Sequence, residues 1–170
     1  MATTYEAIAT VTVGSGGAAN IEFASIPATY TDLLVKLSVR NTTATTVGNV
    51  TLDLQLNSLT TGYTGKQLYG SGSSVGSLNR NNVIIGTLNS ANDTASTFSN
   101  IEVYLPNYTS SNAKSYSVDS VSEGNVTTTE LDLVAKANST TSAITSLKFL
   151  CDLNNFAQYS TATLYGIKNS

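Results

Sequence analysis

Catalysis has few residues to draw on in this chain. There is no His, which removes the usual general base and any Ser–His relay. With no His and a single Cys, a zinc site built from His and Cys ligands is impossible. Eleven acidic residues remain. A glycosidase needs two carboxylates about 5–9.5 Å apart, and nothing in the spacing marks such a pair. Calcium needs a dense oxygen cage from acids at alternating loop positions. Asn89-Ser90-Ala91-Asn92-Asp93 offers carbonyls but reads as an Asx turn. Gly70-Ser71-Gly72-Ser73-Ser74 lacks the Gly-Lys-Ser/Thr ending of a phosphate loop. Cys151 alternates with Phe149 and Leu153 and reads as a buried thiol acting as a small hydrophobe. The expectation is a protein with no catalytic residues, no metal and no cofactor.

Aromatic side chains are the other lead. There are nine Tyr, four Phe and no Trp. Tyr63, Tyr69, Tyr104 and Tyr108 could stack on sugar rings. Tyr also suits strand edges and protein interfaces, with its apolar body and polar tip. The absence of Trp favours that second use.

The elements that must carry these groups are strands. Charged residues make up only 11% of the 170 residues, against a usual ~25%. Ser, Thr and Asn supply the missing polarity. Tyr5 to Val13, Asn20 to Ile26, Tyr30 to Arg40 and Val50 to Leu56 alternate apolar and polar residues, as half-buried strands do. Leu33, Val35, Leu37 and Val39 form the clearest inward face. The chain opens with a hairpin or a corner between two sheets. Leu59 to Asn82 is a long Gly/Ser-rich excursion, with a short strand expected near Lys66 to Tyr69. Val83 to Leu88 is a short strand.

Ile101, Val103 and Leu105 alternate before Pro106, and Tyr116 and Val118 alternate after a polar turn. A turn is expected at Glu123-Gly124-Asn125. From Thr127 to Ala137, Leu131, Leu133 and Ala135 take one face and Glu130, Asp132 and Lys136 the other. Ile144 to Leu153 brings Leu147, Phe149, Cys151 and Leu153 inward, and Tyr159 to Ile167 closes the fold. Eight to ten short strands with turn signals every 8–12 residues and no helical stripe indicate an all-β antiparallel β-sandwich, jelly-roll-like. It is read as a single domain over residues 1–170 with a short N-terminal arm of about residues 1–4.

Partners are bounded by charge. The net charge is −3 and the eight basic residues are scattered, which argues against nucleic acid. No apolar run approaches the ~20 residues that span a bilayer. The N-terminus lacks the basic region of a secretory signal. Six Asn-X-Ser/Thr sequons, at Asn41, Asn49, Asn92, Asn107, Asn125 and Asn138, are ascribed to the Asn- and Thr-rich composition.

Four stretches carry a resemblance. They are IPATYTDLLVKLSVR at Ile26 to Arg40, TGYTGKQLYGSGSS at Thr61 to Ser74, STFSNIEVYLPNYTSSNAKSYSVDSV at Ser96 to Val121, and STATLYGIKNS at Ser160 to Ser170. Together they resemble small all-β virion structural proteins of tailed phages, of the cyanophage-like capsid decoration or cement family. The resemblance implies a non-enzymatic particle component on the capsid exterior, made in the bacterial host cytoplasm. Its partners would be the major capsid protein and further copies of itself, with a trimer the expected homo-oligomer, and neither nucleic acid nor membrane. A fibre or tail-tip module binding host glycan or receptor is the competing location. For the shell contact, the expected residues are Tyr5 in the N-terminal arm and Tyr63, Lys66, Tyr69 and Arg80 in the excursion. Lys66 and Arg80 would pair with acidic capsid surface, and Tyr63 and Tyr69 would anchor.

Overall fold

A computed structural model describes residues 4–45, 50–122 and 130–168. Most of the expected N-terminal arm, the Glu123-Gly124-Asn125 turn, the start of the strand at Thr127 and the sequons at Asn49 and Asn125 lie outside the described residues. The described residues form twelve strands: β1 (Tyr5–Thr12), β2 (Asn20–Phe23), β3 (Asp32–Val39), β4 (Thr51–Leu56), β5 (Tyr63–Ser71) and β6 (Ser74–Asn79), then β7 (Ile84–Thr87), β8 (Ser99–Leu105), β9 (Lys114–Ser122), β10 (Glu130–Asn138), β11 (Leu147–Cys151) and β12 (Thr161–Ile167). Every pairing between these strands is antiparallel.

Strand order explains the architecture. One sheet runs β1-β12-β3-β8-β9-β10-β5-β6 and the other β2-β11-β4-β7. Successive strands β1, β2, β3 and β4 therefore alternate between sheets, as do β7, β8, β11 and β12. The blocks β1-β12-β3-β8 and β2-β11-β4-β7 together form an eight-stranded jelly roll. Two inserted hairpins, β5–β6 and β9–β10, extend the first block into a wing. The opening segment is thus a corner between sheets and not a hairpin.

Apolar faces close the core between the sheets. Leu33, Val35, Leu37 and Val39 are at most 2% exposed, as their alternation requires. Ile101, Val103, Leu105, Tyr116 and Val118 join them from β8 and β9, and Leu52, Leu54, Leu56 and Phe149 face them from the small sheet. Three sequence expectations are corrected. In β1 a bulge between Ala7 and Ala9 breaks the alternation, so Ile8 and Val11 pack on the core and Ala7 and Ala9 do not. In β11 the inward run stops early: Cys151 is half-buried and Leu153 is 46% exposed. The excursion holds a full hairpin, not one short strand.

That hairpin turns at Gly72-Ser73, where Gly72 takes a φ of 56°. A two-residue hairpin turn needs positive φ to match the strand twist, and Gly supplies it without strain. Gly76 is required for a different reason. A Cβ there would sit 2.6 Å from the Tyr69 hydroxyl, because the Tyr69 ring lies across it.

Candidate functional site on the wing

The wing holds the molecule's polar chemistry and its exposed apolar surface on opposite faces. In β10 the residues divide between two faces as their alternation requires, and burial decides which face is inward. Leu131, Leu133 and Ala135 point outward, while Asp132, Val134, Lys136 and Asn138 are buried. The cause lies on β7. That strand ends the four-stranded sheet and packs against β9 and β10, so its free edge is buried. Unpaired N–H and C=O groups there need partners.

Asp132 supplies the acceptor, taking Thr87 N at 3.1 Å and Thr87 Oγ1 at 3.0 Å. Lys136 supplies the donor, giving its Nζ to the carbonyls of Asn82 and Ile84. Ser122 Oγ donates to Thr87 O at 2.8 Å. An apolar inward face on β10 would leave this edge unsatisfied.

These contacts continue as a chain across the sandwich. Arg80 Nε donates to Gln67 Oε1, and Gln67 Nε2 donates to Asp132. On the far side Ser122 and Ser99 hydroxyls meet at 3.0 Å, and Ser99 donates to Asn89 Oδ1. Asn89 Nδ2 reaches Thr97 Oγ1, which also accepts from Arg40. Burial, with Arg80 nearby, pulls the Lys136 ammonium down to about 8, against a smaller opposing pull from Asp53. Its Nζ also lies 5.5 Å from the Tyr63 ring centre. Asp53, on β4, is pushed up to about 6 by burial and then by Asp152, with Lys136 opposing.

The groups in this chain bond to one another and to backbone. Among the described residues no three His, Cys, Asp or Glu side chains lie close enough to hold a metal. In the Asn89–Asp93 loop a guanidinium takes the inward carbonyls. Arg40 donates to the carbonyls of Asp93, Thr94 and Thr97 at 2.7–2.9 Å. Burial raises the Cys151 thiol to about 12, so it stays neutral.

The outward face is organised in rows set by strand register. One row runs Val75, Gly70, Leu131, Val121; the next runs Ser77, Leu68, Leu133, Asp119, Glu102, Lys36; the third runs Asn79, Lys66, Ala135, Ser117, Tyr104, Leu34, Tyr165. Leu68, Leu131 and Leu133 are 50–59% exposed and Val75 88%. A groove of ≈ 590 Å³ lies beside them, with Leu68, Leu133, Tyr104 and Asp119 in its walls. Further along, Tyr104 and Tyr165 flank Leu34, which is only 7% exposed although it faces outward.

The five residues expected to touch a partner divide among three places. Tyr5 (55% exposed) and Lys66 lie on the outward face, near its two ends. Tyr69 and Arg80 are half-buried, and Tyr69 lies on the inner side of the wing, in register with Asp132. Tyr63 is buried in the core, where its hydroxyl accepts from Leu56 N and donates to Leu59 O. It cannot anchor a partner. Tyr108, considered for sugar stacking, is also fully buried and donates to Pro27 O. The sequence reading missed Leu68, Val75, Leu131, Leu133 and Asp119. Strict alternation reveals two faces but not which one meets the core. Comparison with family models, curated proteins and solved structures yields no match.

Proposed function

We propose that this chain is a non-enzymatic structural protein of a phage particle, a decoration or cement protein that binds the outer surface of the assembled shell. One observation carries the reading: the wing buries Asp132 and Lys136 and turns its leucines outward. A surface of that kind adheres; it does not turn over a substrate. The few charges and many hydroxyls elsewhere suit binding that varies little with salt. The stretches that resemble phage virion proteins supply the biological setting. Jelly rolls serve in capsids and in lectins alike, so the fold does not choose the role. The test is an image of particles made with and without this chain. Many copies on the shell, and shells that break more readily without them, are expected. A handful of copies confined to the tail refutes the reading.

A second reading has its own support. Tyr104 and Tyr165 stand two strands apart on the outward face, roughly 10 Å at the usual strand spacing. Tyr5 lines the same end. That row of rings suits a fibre module that stacks on a host glycan. Binding to host polysaccharide that disappears in Tyr104→Ala would establish it, and no binding would dismiss it.

A further inference from the structure

Resting on the reading of the outward face as adhesive, we propose that the occupant of its leucine end is a second copy of this chain, related by a twofold axis. Three features of the face carry the assignment.

The first is area. Leu68, Leu131, Leu133 and Val75 are 59, 50, 56 and 88% exposed. They present on the order of 500 Å² of apolar surface, at the upper end for a monomer that hides nothing. With Gly70, Ala135 and the stems of their neighbours the patch approaches the ~800 Å² per partner of a standard interface.

The second is charge placement. Asp119 on β9 lies beside Leu133 in the same row, and Lys66 lies next to Leu68 along β5 in the following row, so each charge borders one member of the Leu68–Leu133 pair. Lys66 donates to the neutral Asn79 Oδ1. Asp119 sits directly across from Glu102, whose ion pair is with Lys36 at 2.7 Å. Like charges placed opposite each other on a sheet repel. So the patch offers one cation and one anion whose charges are not met within the chain among the described residues.

The third is symmetry. A twofold contact joins a surface to itself, so each group must find its complement within the same patch. A twofold axis running obliquely between β5 and β9 exchanges the two sides of this one. It sets Leu68 against Leu133 of the other copy, and Lys66 against the other copy's Asp119, twice over. A uniformly acidic or basic partner would satisfy one charge and oppose the other. The symmetry that fits is twofold, not the threefold the family resemblance implies.

The experiment is sedimentation of the full chain over a concentration series. The expected species is a dimer, twice 17.7 kDa. Lys66→Glu and Asp119→Lys each replace two attractions by two repulsions and weaken the dimer about 10- to 100-fold. The swapped pair Lys66→Glu with Asp119→Lys restores affinity to within about threefold of the parent. Leu133→Asp abolishes the dimer, and far-ultraviolet circular dichroism confirms that the monomer stays folded. A chain that remains monomeric at about 100 µM overturns the proposal, being too weak to matter in solution. An oligomer indifferent to both single charge changes, or unrepaired by the swap, overturns it equally. The shell reading is scored separately, by particle breakage, so the two can fail independently.

Discussion

Two adjacent residues of β10, Asp132 and Leu133, offer a direct trial of the inverted wing. If the leucines of β10 faced the core, Leu133→Ser would cost about 4 kcal/mol and Asp132→Ala almost nothing. The structure demands the reverse. Asp132 is 1% exposed and accepts from Thr87 N, Thr87 Oγ1 and Gln67 Nε2. Removing the carboxylate leaves three donors without an acceptor, each worth about 1–3 kcal/mol when buried. After local relaxation the loss should be about 3–5 kcal/mol, the lower part of the sum for three buried donors left unmet. Leu133 is 56% exposed, so Leu133→Ser forfeits less than half of a Leu burial, about 1 kcal/mol or less. With a urea slope of ~2 kcal/mol per molar, the Asp132→Ala midpoint should fall by about 1.5–2.5 M and that of Leu133→Ser by no more than about 0.5 M. Dilute protein keeps self-association out of the measurement. The opposite order of midpoints would refute the placement of β10, and with it the adhesive face.

Three further outcomes follow from buried groups. Asp53 titrates near 6 in the fold against an ordinary 3.8, so the folded state holds its proton more tightly. Stability should therefore fall as pH rises from about 4 to about 6, and the loss should persist above that window. The full gap corresponds to about 3 kcal/mol, reduced by partial exposure to about 1–2; Asp53→Asn should remove that slope from chemical denaturation curves, and an unchanged slope counts against the assignment. Tyr116 is 4% exposed and its hydroxyl has no partner among the described residues, so Tyr116→Phe should stabilise by about 1 kcal/mol, a rise of roughly 2–4 °C in Tm. A lower Tm would mean that the hydroxyl is bonded. Arg40→Ala removes the donors to the carbonyls of Asp93, Thr94 and Thr97 and should cost about 3 kcal/mol, with faster amide exchange confined first to residues 90–97; unaltered exchange there would show that the loop holds itself.

Strands whose two faces differ sharply were legible. In β3, Leu33, Val35, Leu37 and Val39 oppose Lys36 and Ser38, and burial follows the alternation. The same holds for β4 and β8. Legibility failed where burial answers to a neighbouring strand's backbone. β10 carries two leucines on one face and Val134 between two ions on the other. Any local rule turns the leucines inward. Only the buried edge of β7, dozens of residues away, reverses the choice. In β1 a one-residue bulge moved the apolar set. The β5–β6 hairpin hid behind Gly and Ser, residues poor in strand propensity. Of the residues expected to touch a partner, Lys66 and Tyr5 are exposed, as long polar or amphipathic side chains on strands commonly are. Tyr63 was misplaced because its two backbone hydrogen bonds satisfy a hydroxyl deep in the core.

The place of β12 between β1 and β3 has a consequence for how the molecule is made. Arg40 N, just past β3, meets Ser160 Oγ, just before β12, across 120 residues of chain. At ~5–20 residues per second on the ribosome, β3 waits on the order of ten seconds for that neighbour. During translation its greasy flank has β8 on one side at most and nothing on the other. Nascent chains in a crowded polysome would then be the vulnerable form, and a holding chaperone during synthesis would matter more to yield than any stabilisation of the finished protein.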